Sequence, residues 1–375
     1  MKKNVIYLLS LILIISYNHA CNSCVNKNSK VAFQSKTTPG TGNFRSFEFT
    51  YSIELEPALN KKLELWIPIP QSSEVQSISN LTVDSQGLDY DIKDEDDHGN
   101  KYLYIYSDDG IKDSKLITLN FSVKREEHHN VEYDNISNNK YLKPSQLVPT
   151  EAMFKNIISD NNLNNQDMRS VYDFVLNGMH YGKPTDDKNS KNYKYIHGGK
   201  NPNTGHEWLP NDITYGIQKK TKNELVKSQN KNEKYAYGNG NSLYACDIGV
   251  GNCTDYHSYF ISISRTLDVP ARFHMGFPIP NGDEGTVGGY HCWADYYVDN
   301  EGWYPVDISE ADKDPSRIDY FFGTVCKNRV DMMVGRDFNL DGYEQNPVNL
   351  FIYPLLEIND EESNSFTKTF LYKNL

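Results

Sequence analysis

The chain is poor in cysteine, in positive charge and in long apolar runs, and each shortage excludes something. Six cysteines in 375 residues are too few for a scaffold built on disulfides, and no pair of C-x-x-C motifs stands at the spacing of a structural zinc site. Each cysteine has to be read on its own. Lysine and arginine number 38 against 50 aspartate and glutamate, a formal charge of -12, and mean hydropathy is -0.66. That balance argues against a surface that tracks phosphates or lies on anionic lipid, so no nucleic-acid partner is expected. Aromatic residues, by contrast, reach 13%, with 27 tyrosines, the composition of a chain that folds. At this length two structured parts are expected rather than one core.

The apolar run at residues 5–15, broken only by Ser10 and preceded by Lys2 and Lys3, is too short to span a bilayer and has the form of a signal-peptide h-region. Ala20-Cys21 then resembles the lipobox of bacterial lipoproteins, with Asn18 in place of the usual aliphatic residue. The reading is a signal peptide at 1–20 and export to the cell envelope, periplasmic or outer surface, with a lipid on Cys21 as the only membrane contact. If Cys21 is not lipidated, the protein is secreted. Residues 21–43, rich in Asn, Ser, Thr and Lys and without hydrophobic period, read as a flexible tether.

From 44 to about 126 apolar residues alternate, as in Phe47, Phe49, Tyr51, Ile53 and Leu55 or Ile117, Leu119, Phe121 and Val123, and the runs 62–69 and 101–106 are strand-like too. Residues 44–150 are therefore expected to form an antiparallel β-sandwich, a packing or binding module without catalytic residue types. The acidic patch at 91–97 reads as a solvated loop. From about 151 the pattern turns helical, with Met168, Val171, Tyr172, Val175 and Met179 placing one stripe on a helix near 167–180. Residues 151–375 are assigned to a second domain, in which 182–240 form a long insertion, either a flap over a site or a partly mobile segment. Asp337, Asn339, Asp341 and Gly342 imitate the start of an EF-hand loop, but Val348 stands where the bidentate Glu belongs, so a structural turn is expected.

The chemistry gathers between Gly249 and Asp307. Gly251-Asn252-Cys253 precedes Tyr256, Phe260, Ile263 and Leu267 at helical spacing, which puts Cys253 at the first turn of an amphipathic helix with Asn252 as N-cap and Gly251 permitting a tight turn. Free N–H groups and the positive end of the helix dipole favour a thiolate there, although a buried inert cysteine is the plain alternative. Residues 288–307 hold two strand-like runs around Asp299-Asn300-Glu301-Gly302, a β-hairpin with His291 on its first strand and Asp307 at the end of its second. The two meet only in an even register. A three-residue loop would set Asp307 opposite Trp293 and diagonal to His291. In that arrangement Cys253 attacks a carbonyl, His291 carries the proton and Asp307 orients the imidazole. His257 and His274 are rival bases and Asp295 a rival orienting acid. Cys292, beside His291, is expected to point away from the site, and Cys24, Cys246 and Cys326 are left without a role.

Gly251-Asn252-Cys253, the segment 264–272, His291-Cys292-Trp293-Ala294-Asp295 and Gly302-Trp303-Tyr304-Pro305-Val306-Asp307 together resemble, in order and context, the core of the transglutaminase-like superfamily, closely over 249–309 and broadly over 168–325. The resemblance implies an α+β, papain-like core behind the sandwich, with the nucleophile's helix packed on an antiparallel sheet. It implies Cys253, His291 and Asp307 as a catalytic triad. The activity it implies is acyl transfer at amide bonds of a peptide or protein through a Cys253 thioester, with hydrolysis first and glutamine-to-amine cross-linking or an idle binding scaffold as alternatives. No cofactor or metal is expected. Asp268 stands where the family usually has Gly. The Cys253 N–H is one expected oxyanion donor, and Trp208, Tyr215 and Tyr181 are candidates for the second.

Overall fold

The computed structural model describes residues 41–134, 136–185, 209–227 and 234–375. The signal peptide, Cys21, Cys24, nearly all of the tether and Trp208 lie outside the described residues.

Six strands come first: β1 (Phe44–Leu55), β2 (Leu63–Ile69), β3 (Gln76–Asp84), β4 (Asp89–Glu95), β5 (Asn100–Ser107) and β6 (Lys115–Glu126). Helices α1 (Ala152–Asp160) and α2 (Met168–Gly178), strand β7 (His180–Tyr181), helices α3 (Lys222–Lys227) and α4 (Ser242–Ile248), strand β8 (Val250–Gly251) and helix α5 (Cys253–Thr266) follow. Then come β9 (Ala271–Pro278), β10 (Glu284–Thr286), β11 (His291–Val298), β12 (Gly302–Val306), α6 (Ile308–Lys313), α7 (Ile318–Phe321) and β13 (Arg329–Val334). Strands β14 (Leu355–Ile358), β15 (Glu361–Ser363) and β16 (Phe366–Asn374) close the chain.

Alternation makes β1 a strand: Phe47, Phe49, Tyr51, Ile53 and Leu55 are fully buried while the residues between them are more exposed. It lies at the centre of a five-stranded antiparallel sheet ordered β10-β16-β1-β6-β3, and β2 holds the same place in a second, β15-β14-β2-β5-β4. A third antiparallel sheet, β12-β11-β9-β13, carries α5, whose Phe260 ring meets Tyr296 of β11 at 6.0 Å. Phe277 of β9 packs 5.3 Å from Phe49 and 4.4 Å from Phe370, so this sheet and the sandwich share one core. The α+β class with an N-terminal antiparallel sandwich is what the structure has.

Two expectations need correction. The division at residue 150 is not the one the hydrogen bonds draw, because β10, β14, β15 and β16, all from the part assigned to 151–375, complete the two sandwich sheets. A change of hydrophobic period is local, whereas strand pairing is not. The acidic patch is an edge strand instead of a loop: β4 pairs along its length with β5, and buried Glu95 accepts from the N–H of Asp97 (3.0 Å) and His98 (2.9 Å) and from Asn100 Nδ2 (3.0 Å). Charge on an edge discourages further pairing and gives a strand the composition of a loop. In the EF-hand-like turn the side chains diverge, Asp337 to the Gln146 N–H (2.7 Å), Asn339 to Asp97 (2.8 Å) and Asp341 to Lys93 (3.4 Å).

Candidate active site

Helix α4 ends at Gly249, whose φ of 66° is left-handed and whose hydrogen a methyl could not replace, since a Cβ would fall 2.3 Å from Gly216 N. The chain then pairs β8 in parallel with β7 and enters α5 at Cys253. Asn252 Oδ1 accepts from the N–H of Thr254 (2.9 Å) and Asp255 (3.4 Å), and Asp255 Oδ2 accepts from the Asn252 N–H (3.0 Å). This capping box is worth about 1 kcal/mol. Gly251 is required by close approach rather than by a turn, for a Cβ there would lie 2.5 Å from the Asp255 Cβ. Asp255 also accepts from Gly238 (2.9 Å) and Gly240 (3.0 Å), pinning the end of the insertion to the helix start, and burial pushes its carboxyl up to about 7 against those bonds.

Across from this helix end, β11 and β12 pair Val298 with Gly302 and Ala294 with Val306, a three-residue connection that, continued one step, sets Asp307 opposite Trp293. His291 Nε2 lies 2.8 Å from Asp307 Oδ2, and both side chains are buried. That leaves Nδ1 for Cys253, and the thiol and the ring each favour the other's charged form. The electrostatics are those of an ion pair. A hydrogen bond with Cys292 holds the Cys253 thiol well below the ordinary thiol range; burial opposes it, and the hydrogen bond and charge of His291, with the charge of Lys313, add to it. Burial works against a charged His291 ring, but Asp307 and Cys253 outweigh it and raise the ring to about 10. Burial likewise opposes ionisation of Asp307, yet His291, Arg329 and His257 keep it far below the usual carboxylate range.

The rivals are engaged elsewhere. His257 Nδ1 bonds the Cys253 carbonyl (2.7 Å) and its Nε2 accepts from the Ile308 N–H (3.0 Å), while burial pushes the ring down to about 4, so it is a neutral brace between α5 and α6. Asp295 is bound by Arg272 and lies 3.1 Å from His274 Nε2, and His274 Nδ1 is 2.8 Å from Asp331. Cys292 overturns its expectation. It does not point away but lies 3.7 Å from Thr254 Oγ1 in the first turn of α5, where its thiol and that of Cys253 shift each other's ionisation. Helix α5 packs on the face of β11 that carries Cys292, Ala294 and Tyr296, and its first turn reaches the strand's first residues through Thr254 and Cys292. Of the oxyanion candidates, Tyr215 bonds the Pro210 carbonyl (2.6 Å) within a separate small cluster, whereas Tyr181 borders the site through β7 and feels the Cys253 charge.

Several groups escaped the sequence reading. Arg329 NH1 and NH2 each donate to Asp307 Oδ2 at 3.1 Å, the Lys313 ammonium stands 4.0 Å from the Tyr181 ring centroid beside the thiol, and the Tyr290 hydroxyl lies 3.1 Å from Thr254 Oγ1. Only Tyr290, adjacent to His291, had a signal in the motif itself. An arginine in an alternating strand segment carries none.

A scan of family models matches residues 208–308 to the transglutaminase-like superfamily. An uncharacterized protein of Haemophilus influenzae is 22% identical over 409 residues, covering 96% of this chain and 97% of its own length. Among solved structures, one described as a "Putative Cysteine Protease" from Cytophaga hutchinsonii is similar with 11% identity and a TM-score of 0.46, covering 88% of this chain and 92% of its own. The periplasmic domain of TgpA from Pseudomonas aeruginosa is similar with 12% identity and a TM-score of 0.32, covering 72% of each chain. Cys253, His291 and Asp307 all fall within the matched segment, and the chain carries, at 208–308, a domain of the transglutaminase-like superfamily.

Proposed function

We propose that this protein is an exported cysteine-dependent enzyme that hydrolyses amide bonds of a peptide or protein through a Cys253 thioester. The observation that carries the reading is the buried His291 Nε2–Asp307 Oδ2 pair at 2.8 Å, whose imidazolium favours the thiolate of Cys253. The thiolate attacks the carbonyl, and the oxyanion that forms is met by the Cys253 N–H, the first-turn amide that the Asn252 cap leaves out. His291 passes its proton to the leaving amine, then takes one from the water that resolves the thioester. A lipid on Cys21 would hold the enzyme at the envelope, which the mass of the mature N-terminus reads directly.

The test has two arms. Site-resolved alkylation of Cys253 is expected to change less than about threefold in rate between pH 6 and 8, whereas an ordinary thiol with a pKa of about 8.5 gains nearly two orders of magnitude in thiolate over that span. A steep profile leaves only the scaffold reading. Glutamine-containing peptides are then supplied with and without a labelled primary amine, beside a Cys253→Ala control. Cleavage or ammonia release without label is expected; label entering the peptide would make the enzyme a transferase instead.

A further inference from the structure

We infer that Arg329 is a positioning residue of this site, a buried guanidinium clamp that fixes Asp307 and shares its negative charge with His291. The inference rests on the catalytic reading above. Arg329 is the first residue of β13, beyond β9 from the hairpin that carries His291 and Asp307, and it is buried. NH1 and NH2 each reach Asp307 Oδ2 at 3.1 Å, the same oxygen that bonds His291 Nε2 at 2.8 Å. The guanidinium also lies 4.8 Å from the ring centroid of Trp293, the residue opposite Asp307 in the register, and NH2 is 3.5 Å from Cys326 Sγ. The other Asp307 oxygen is committed to its own helix, where Oδ1 accepts from Ser309 Oγ and the Glu310 N–H, both at 3.3 Å, with His257 Nε2 3.9 Å away. Both carboxylate oxygens of Asp307 are therefore held, and its charge is felt as well by Tyr172 of α2.

The clamp has a chemical consequence. With Cys253 and His291 ionised, the four groups Cys253, His291, Asp307 and Arg329 sum to zero charge. When the thioester has formed and His291 has given up its proton, Asp307 and Arg329 remain and still sum to zero. Without the guanidinium, that second state would leave a buried carboxylate without a cation, and the carboxylate would hold the His291 proton back from the leaving amine. The clamp thus matters to proton delivery more than to substrate binding.

Arg329→Met is expected to lower kcat roughly 10- to 100-fold with KM within about twofold. The far-downfield proton resonance of the His291–Asp307 hydrogen bond should be lost or broadened. Arg329→Lys keeps the charge but replaces two donors on one oxygen with one, so it is expected to retain the resonance and recover kcat only in part. Wild-type kcat and an unchanged resonance in Arg329→Met overturn the clamp; if that variant does not fold, the same result in Arg329→Lys overturns it. The resonance needs no turnover, so a wild-type protein that shows it with an inert Cys253 thiol would sink the catalytic reading while the variants still decide on the clamp.

Discussion

Asp307→Asn is expected to lower kcat/KM by about three to four orders of magnitude, the scale on which the same exchange acts in Ser-His-Asp triads. The amide keeps the shape of the side chain and removes its charge. Three cations or potential cations then lose their common anion: His291 at 2.8 Å, Arg329 at 3.1 Å and, more distantly, His257 at 3.9 Å. Burial, which Asp307 and Cys253 together had outweighed, will pull His291 down from about 10, and Cys253 keeps the help of Cys292 and Lys313 but loses that of the imidazolium at neutral pH. The flat alkylation profile of Cys253 should acquire a slope. Stability carries a second signature. The depressed carboxyl of Asp307 contributes stability that is present above about pH 3.9 and is lost as pH falls toward its folded value. The raised His291 contributes stability that is fully present below about 6.5 and is lost as pH rises through about 10. The gap between wild type and Asp307→Asn in urea unfolding is therefore expected to be widest between about pH 4 and 6.5 and to narrow toward pH 10. A kcat/KM within tenfold of wild type, or a gap that widens with pH, contradicts the assigned pairings.

What could be read beforehand was whatever depends on neighbours in sequence. The cap at Asn252, the helix behind Cys253 and the three-residue hairpin that puts Asp307 diagonal to His291 are all local geometry, and each is present. Contacts between distant segments were illegible. Nothing around Arg329 distinguishes it from an arginine on an exposed strand, and its role exists only because β9 brings β13 beside the hairpin. Cys292 was misplaced for a related reason. Alternation assigns faces within a strand, but not where the end of a neighbouring helix falls along it. In sequence the C-terminal strands belong with 151–375, because nothing in 366–374 announces that it pairs with 47–55, more than three hundred residues earlier.

The largest loss of stability is expected from Asp295→Asn, away from the thiol. Arg272 is buried beneath three rings, 4.0 Å from the Trp303 centroid, 4.5 Å from Tyr133 and 5.7 Å from Tyr141, and its only carboxylate contact among the described residues is Asp295. His274 draws on the same carboxylate at 3.1 Å and on Asp331 at 2.8 Å, and the two anions raise its pKa against burial. Removing Asp295 leaves a buried guanidinium without its carboxylate and an imidazolium with half its counter-charge, so a loss of about 3–5 kcal/mol is expected near pH 6. The pH dependence follows from the same groups. Asp295, held down to about 2, keeps its contribution until pH falls toward that value, while the part due to His274 is complete below about 6.5 and fades as pH rises through its raised pKa. Replacing both partners, Arg272→Met with Asp295→Leu, removes the stranded charge along with the pair and should be less destabilised than Asp295→Asn alone. Trp293 stacks between His274, at 5.4 Å, and His291, at 6.3 Å, so the cost also bears on the site, because the ring that backs His291 rests on the imidazole this pair holds in place. Urea unfolding of the single and double variants decides the matter, and an Asp295→Asn protein within about 1 kcal/mol of wild type would mean that water or Asp331 satisfies the cluster without it.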